Sequence, residues 1–311
     1  MKLKGISVLV TGASGFIGRH LVNALQKEGA DIHTICRQNN IRNNLNGVKY
    51  YIGNLTDKKF IYKTVNQVKP KKIFHLGGFT NPSRDINFLE EAINVNFYGT
   101  VNLLNSLKNI DFESFVFCST AEVYGNNPIP FEENMKPNPV SPYSISKASA
   151  EMLCNMMHNM YGHPITILRL FLIYGPGENS NRFIPKLITS LLNDKIFPMT
   201  KGEQKRDFVF VGDVVEALIK SSLSKKAKGE TINISSGIQY RIKEIADKVS
   251  NILNKKKLIK IEMPYRENEQ WEYCGDTSKA KSILNWEAKT KIDSGLRKTI
   301  EWYDHAIQKN F

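Results

Sequence analysis

The sequence predicts an α/β fold, a doubly wound parallel sheet followed by a smaller C-terminal α/β region, and three observations lead to it. The apolar run Val8-Leu9-Val10 breaks into glycines at positions 12, 15 and 18 and resumes with helical periodicity. Strand-like and helix-like stretches then alternate at the spacing of repeated βαβ units as far as residue 170. A chain of 311 residues with 41% hydrophobic content can also bury a core of that size.

The first unit reads as strand, phosphate loop and helix. Gly12 permits a tight turn, Gly15 lets backbone N–H groups approach a pyrophosphate, and Gly18 allows close helix-on-strand packing. The helix start then faces an anion with its partial positive charge, and Gly29 ends the helix. Glycine-rich turns also join strands to helices in folds that bind nothing, so this loop alone leaves a dinucleotide site open. Asp31 to Cys36 is a β-rich run whose carboxyl end should lie near an adenosine ribose. Arg37 follows it, where a guanidinium would attract a 2′-phosphate and tilt the choice toward NADP(H) over NAD(H); the bland alternative is a solvated loop arginine. Gln38 to Asn46 reads as a loop or short irregular helix. Val48 to Ile52 is the next strand, and Asn54 and Leu55 in the following turn could hold an adenine edge.

Lys72 to Leu76 is a buried strand ending in Gly77-Gly78, where absent side chains would admit a ribose and pyrophosphate, or simply turn the chain. Asn94 to Leu104 reads as a long helix on the sheet. Ser114 to Cys118 is another buried strand, running into Ser119-Thr120-Ala121-Glu122. Ligands in such sheets sit at the carboxyl ends of strands, so these side chains are placed for chemistry. After a proline-rich loop, Tyr143 and Lys147 open a helix at i and i+4 and share a face. An ammonium beside a phenol favours the phenolate and would bring the tyrosine toward the working pH.

Composition excludes several classes. The net charge of +13 would suit nucleic acid, but the lysines lie in short scattered clusters such as Lys69 to Lys72 and Lys255 to Lys257, which reads as a solvated surface. No apolar run reaches the roughly 20 residues that span a bilayer. The start, Met1 to Gly5, runs straight into a strand with no signal-peptide core, so a cytoplasmic location is expected, with neither nucleic acid nor membrane as partner. Cys36, Cys118, Cys154 and Cys274 form no C-x-x-C pair, and no metal site is expected.

The chain resembles the extended short-chain dehydrogenase/reductases of the NAD-dependent epimerase/dehydratase family, which modify nucleotide sugars. The resemblance rests on T-G-A-S-G-F-I-G at Thr11 to Gly18, H-L-G-G at His75 to Gly78 and N-x-x-G-T-x-N-L-L at Asn96 to Leu104. It continues with S-T-A-E-V-Y-G at Ser119 to Gly125, Y-S-I-S-K at Tyr143 to Lys147, Y-G-P-G at Tyr174 to Gly177 and R-D-F-V-F-V at Arg206 to Val211. It implies a Rossmann domain over 1–170, with 208–236 packing back on it, and a nucleotide-sugar region over 171–311. It implies Tyr143 as general acid/base, Lys147 holding the nicotinamide ribose and tuning Tyr143, and Thr120 bonding the same sugar oxygen. The cofactor-binding set would be Gly12, Ser14, Gly15, Phe16, Ile17, Gly18, Arg37, Asn54, Leu55, Leu76, Gly77, Gly78, Asn96, Tyr143 and Lys147. Thr120, Glu122, Arg206 and Arg266 would face the substrate, the two arginines as phosphate partners, although either could instead pair with a nearby carboxylate. A homodimer is implied, through the helices around Asn94 to Leu107 and Tyr143 to Met160.

Details of the motifs bear on the reaction. Dehydratases of the family often carry Thr-Asp-Glu where this chain has Thr120-Ala121-Glu122, which counts against a 4,6-dehydratase; Glu122 could be a base or a structural carboxylate. Leu172 replaces the asparagine of the usual F-N-V-Y-G-P-G, which puts a standard UDP-galactose 4-epimerase site in doubt. The stretch from Tyr174 to Val215 also looks like 4-ketoreductases of the CDP-abequose and CDP-paratose synthase type. The expectation is an NADPH-dependent 4-ketoreductase acting on a dTDP- or CDP-linked 4-keto-6-deoxyhexose for surface-polysaccharide synthesis. An NAD-dependent nucleotide-sugar 4-epimerase is the alternative, ahead of a 4,6-dehydratase or a non-catalytic cofactor-binding protein.

Overall fold

The computed structural model describes residues 2–37, 46–81, 83–267 and 269–308. Its first half is a run of strand–helix units: β1 (Ser7–Thr11), α1 (Phe16–Lys27), β2 (Asp31–Cys36), β3 (Val48–Ile52), α2 (Lys58–Val68) and β4 (Lys72–His75). A continuous helical stretch follows, made of α3 (Leu89–Ala92), a π-helical segment Ile93–Tyr98, and α4 (Gly99–Ser106). Then come β5 (Ser114–Thr120), α5 (Pro142–Tyr161) and β6 (Ile165–Leu170). The helix expected from Asn94 thus begins earlier and carries a π turn at its centre. Of the loop expected over Gln38 to Asn46, only Asn46 lies within the described residues.

After β6 the chain forms β7 (Leu172–Tyr174), α6 (Phe183–Leu192), β8 (Phe197–Met199), β9 (Lys205–Phe210), α7 (Val211–Leu223) and β10 (Thr231–Ile234). It ends with β11 (Gln239–Arg241), α8 (Ile242–Ile252), β12 (Ile259–Ile261), α9 (Ser278–Leu284) and α10 (Ile292–Gln308). The main sheet is parallel throughout, in the order β10-β6-β5-β4-β1-β2-β3, so strand order reverses between β1 and β4. That reversal opens a crevice at the carboxyl ends of the strands, where ligands of such sheets bind. β7, β9 and β11 form a separate small sheet, and β8 pairs with β12.

Alternation along the strands fills both faces. Val8 and Val10 point to one core with Leu21, Leu25, Val214 and Leu218 of α1 and α7. Leu9 and Ile73 point to the other with Ile61, Leu103, Phe115 and Cys154 of α2, α4, β5 and α5. A third core joins α6, α8 and α10 through Leu187, Val249 and Leu296. α5, which carries Tyr143 and Lys147, is fixed at both ends. Ser141 and Ser144 form a capping box, Pro142 sits in the first turn, and Gly162 closes the helix in the left-handed conformation. Each such cap is worth about 1 kcal/mol. Inside, Glu151 of α5 meets Arg169 of β6 at 2.7 Å, both nearly fully buried. Among the described residues no helix is long and apolar enough to cross a membrane.

Candidate active site

The phosphate loop is shaped by sterics at two glycines. Gly12 has φ +71°, and a Cβ there would lie 2.7 Å from the Gly77 nitrogen; at Gly18 a Cβ would lie 2.1 Å from the Gly12 carbonyl oxygen. Only bare backbone lets the two loops and α1 converge. Gly15 precedes α1 in extended conformation, and its N–H donates to the Gly12 carbonyl at 3.0 Å. Ser14 and Phe16 are half-buried beside it, and Ile17 packs on the core. Across the crevice Gly77 lies against Leu55 and Thr11, and Leu76 is half-buried. Asn54 is exposed, its side chain turned back on the Thr56 N–H. Arg37 is exposed at the end of β2. This cradle at a helix N-terminus, at the strand-order reversal, fits a dinucleotide.

The Asn96 amide accepts from the Phe79 N–H at 2.7 Å and donates to the Phe79 carbonyl and to Ser146 Oγ, at 3.0 and 2.8 Å. Ser146 in turn donates to the Tyr143 carbonyl. The buried side chain, carried on the π-helical segment, braces the backbone just past Gly78 against α5. Next to it, buried His75 bridges Thr11 and Thr100, and burial pushes it down to about 3, so it is neutral.

Tyr143, in the first turn of α5, stands beside Thr120 at the end of β5, close enough for the Thr120 hydroxyl to favour the phenolate. Burial, reinforced by the Glu122 carboxylate, holds the Tyr143 phenol well above its ordinary range. One turn further along α5, the Lys147 ammonium lies 4.1 Å from the centre of the Phe117 ring. Burial brings it down to about 8, against the opposing pull of Cys118, Cys154 and Glu151.

Glu122 is the second residue of a 3₁₀ turn, Ala121–Tyr124, whose cap is the Thr120 hydroxyl accepting from the Glu122 N–H, and its carboxylate acts on the Tyr143 phenol. Burial raises its carboxyl, while the Arg182 and Arg84 guanidiniums favour the charged form. Ala121 is fully buried, so no acid stands beside Glu122 at that position. Arg206 carries an ion pair: Nη2 donates to Glu269 at 2.6 Å, and Nη1 donates to the carbonyls of Lys205 and Gln270. Arg266 is exposed, and its charge acts on Arg206. The buried Tyr273 phenol feels Glu122 and Tyr143 as well as Arg206.

Sequence reasoning missed Arg84, Arg182, Tyr273 and Glu178. Arg182 Nη2 reaches the Thr80 carbonyl across the cleft, and burial pushes Glu178 up to about 8 against the pull of Arg182. None lies in a spacing that marks it. Among the described residues no group of three or more metal-ligating side chains occurs.

Comparison with known proteins places this geometry. Residues 8–235 match the model of the "NAD dependent epimerase/dehydratase family". The dTDP-D-glucose 4,6-dehydratase of Mus musculus is 30% identical over 98% of this chain and 89% of its own length. The UDP-glucose 4-epimerase of Thermotoga maritima, solved with UDP-glucose, superposes with a TM-score of 0.91 at 26% identity, covering 96% of this chain and 99% of that one. The UDP-glucose 4-epimerase of Thermus thermophilus, solved with NAD, gives a TM-score of 0.87 at 25% identity, covering 96% and 99%.

Proposed function

Because the chain belongs to the NAD-dependent epimerase/dehydratase family of nucleotide-sugar enzymes, we propose that it is a nucleotide-sugar 4-epimerase that keeps its NAD bound through the cycle. The observation that carries the choice is the fully buried Ala121 beside Glu122: the turn holds one carboxylate, where elimination of water across a sugar ring calls for an acid and a base. This reverses the order in which the sequence alone put reductase and epimerase. The relatives compared above are 4-epimerases and a 4,6-dehydratase, and none of them is a 4-ketoreductase.

The Gly12–Gly18 loop, Gly77 and Lys147 would hold the dinucleotide, which when bound supplies hydride exchange at a sugar carbon. Tyr143 takes the proton from the sugar hydroxyl and returns it, with Thr120 bonded to the same oxygen. The raised phenol keeps its proton at neutral pH, so a positive charge brought close to it is needed to release that proton. Arg206 and Arg266 receive the diphosphate. Glu122 bonds a neighbouring sugar hydroxyl. Tyr98, Met152, Met156 and Met160 are exposed on the helices expected to pair two subunits, and a homodimer through that face belongs to the same reading. Gel filtration of Met152→Lys together with Met156→Lys checks it, with a monomer expected.

The experiment is to release nucleotide from the purified protein and incubate the protein with UDP-glucose, then UDP-N-acetylglucosamine. Oxidised NAD in the extract and C4-inverted sugar with no net change at the nicotinamide absorbance support the epimerase. Arg37 favours a second reading, an NADPH-dependent reduction of a 4-keto sugar, because an exposed guanidinium at the end of β2 suits a 2′-phosphate. Consumption of NADPH with dTDP- or CDP-4-keto-6-deoxyglucose would select it, and Arg37→Asp would then move the preference to NADH.

A further inference from the structure

We propose that Glu269 is a positioning residue for a diphosphate, holding the Arg206 guanidinium so that its remaining N–H groups, with Arg266, receive the two phosphates of the substrate. The inference rests on the nucleotide-sugar reading above. A guanidinium has five N–H donors. Both on Nη1 are taken, by the Lys205 carbonyl at 2.8 Å and the Gln270 carbonyl at 2.7 Å, and one on Nη2 is taken by Glu269. The Nε donor and the second Nη2 donor remain. They sit on adjacent nitrogens of one planar group, the fork that suits phosphate oxygens.

The charge count points the same way. Arg206 and Glu269 have side chains only 15% and 12% exposed, so the pair is partly shielded from water and Glu269 offsets one cation. Arg266 adds a second, and its charge disfavours that of Arg206. Arg206 is paired with Glu269 and Arg266 stands close enough for its charge to act on Arg206, which leaves positive charge that a diphosphate would neutralise. The segment bearing Glu269 is itself anchored to the catalytic side. The Lys205 N–H donates to the Trp271 carbonyl at 2.7 Å, and Gln270 Nε2 donates to the Gly125 carbonyl at 2.8 Å, just after the turn that carries Glu122. Residues 269–273 thus form a strap with Arg206 on one side and the Glu122 turn on the other. Without Glu269, nothing described fixes Nη2, and the guanidinium is held at Nη1 alone.

The test is isothermal titration of the full chain with UDP, dTDP, CDP and GDP, followed by the monophosphate of whichever binds most tightly. Glu269→Ala should weaken the diphosphate about tenfold, the low end for a hydrogen bond to a charged group, and the monophosphate by less than about twofold. Glu269→Asp, which keeps the carboxylate, should recover most of the loss. Adding Glu269→Ala to Arg206→Gln should weaken binding no further than Arg206→Gln alone. Unchanged or tighter diphosphate binding in Glu269→Ala, equal losses for mono- and diphosphate, or additive losses in the double variant would overturn the proposal while leaving the nucleotide reading intact. A wild-type chain that binds none of the four diphosphates overturns that reading, and this inference with it. Thermal melting accompanies each variant; should the alanine variant not fold, Glu269→Gln takes its place with the same expected direction.

Discussion

Lys147 is held in the fold at a thermodynamic disadvantage, and replacing it by methionine should stabilise the chain while abolishing turnover. Burial brings the ammonium from an ordinary 10.5 to about 8. At 1.36 kcal/mol per pH unit, that displacement corresponds to about 3 kcal/mol of lost stability at pH 7. Methionine has similar length and needs no solvation, but it gives up the contact of the ammonium with the Phe117 ring, worth roughly 0.5–2 kcal/mol. The net expectation at pH 7 is a gain of about 1–2 kcal/mol. The sign with pH follows from proton binding. Below pH 8 the lysine is protonated in both states and the disadvantage is constant. Between 8 and 10.5 the folded chain has released the proton and the unfolded chain has not, so wild-type stability rises with pH. Urea denaturation of nucleotide-free wild type and Lys147→Met at pH 7 and pH 10 reads this out. The wild type should recover about 2–3 kcal/mol relative to the variant at pH 10. A variant less stable than wild type at pH 7, or a difference that does not change between the two pH values, would show that burial does not penalise this ammonium.

Tyr143→Phe should lower turnover by about 10²–10⁴ and leave the affinity for NAD, followed by titration, within about twofold, since the phenol moves a proton and its ring keeps its packing. Gly18→Ala puts a methyl group 2.1 Å from the Gly12 carbonyl oxygen, so NAD affinity measured by calorimetry should fall at least about tenfold as the loop shifts. Glu151→Ala leaves Arg169 buried without its partner, and urea denaturation should register a loss of about 3–5 kcal/mol.

The parallel, doubly wound class of the sheet was legible because its central strands β1, β4, β5 and β6 carry apolar runs buried on both faces and alternate with helical stretches. The phosphate loop was legible because Gly12 and Gly18 answer steric demands that no other residue meets. Tyr143 and Lys147 were visible from their spacing, yet spacing could not tell that Lys147 turns onto Phe117. Ring and ammonium are thirty residues apart and meet only once α5 lies on β5. The pairing of Arg206 with Glu269 spans sixty-three residues. It depends on the backbone bond from Lys205 to Trp271, for which the sequence offers no periodic sign. The small sheet of β7, β9 and β11 escaped because two of its strands are only three residues long, too short for alternation to register. Asn96 braces from a π-helical segment, and Ile93–Tyr98 reads in the sequence like any helical run.

An enzyme that inverts C4 of a nucleotide sugar while returning its hydride to the same sugar can be recognised by proton NMR of UDP-glucose incubated with the purified chain in deuterated water. The expected spectrum shows a growing signal of the C4 epimer with no deuterium at C4 and no added cofactor consumed. A 4-keto-6-deoxy product carrying deuterium at C5, its C6 hydrogen having come from C4, would contradict the epimerase.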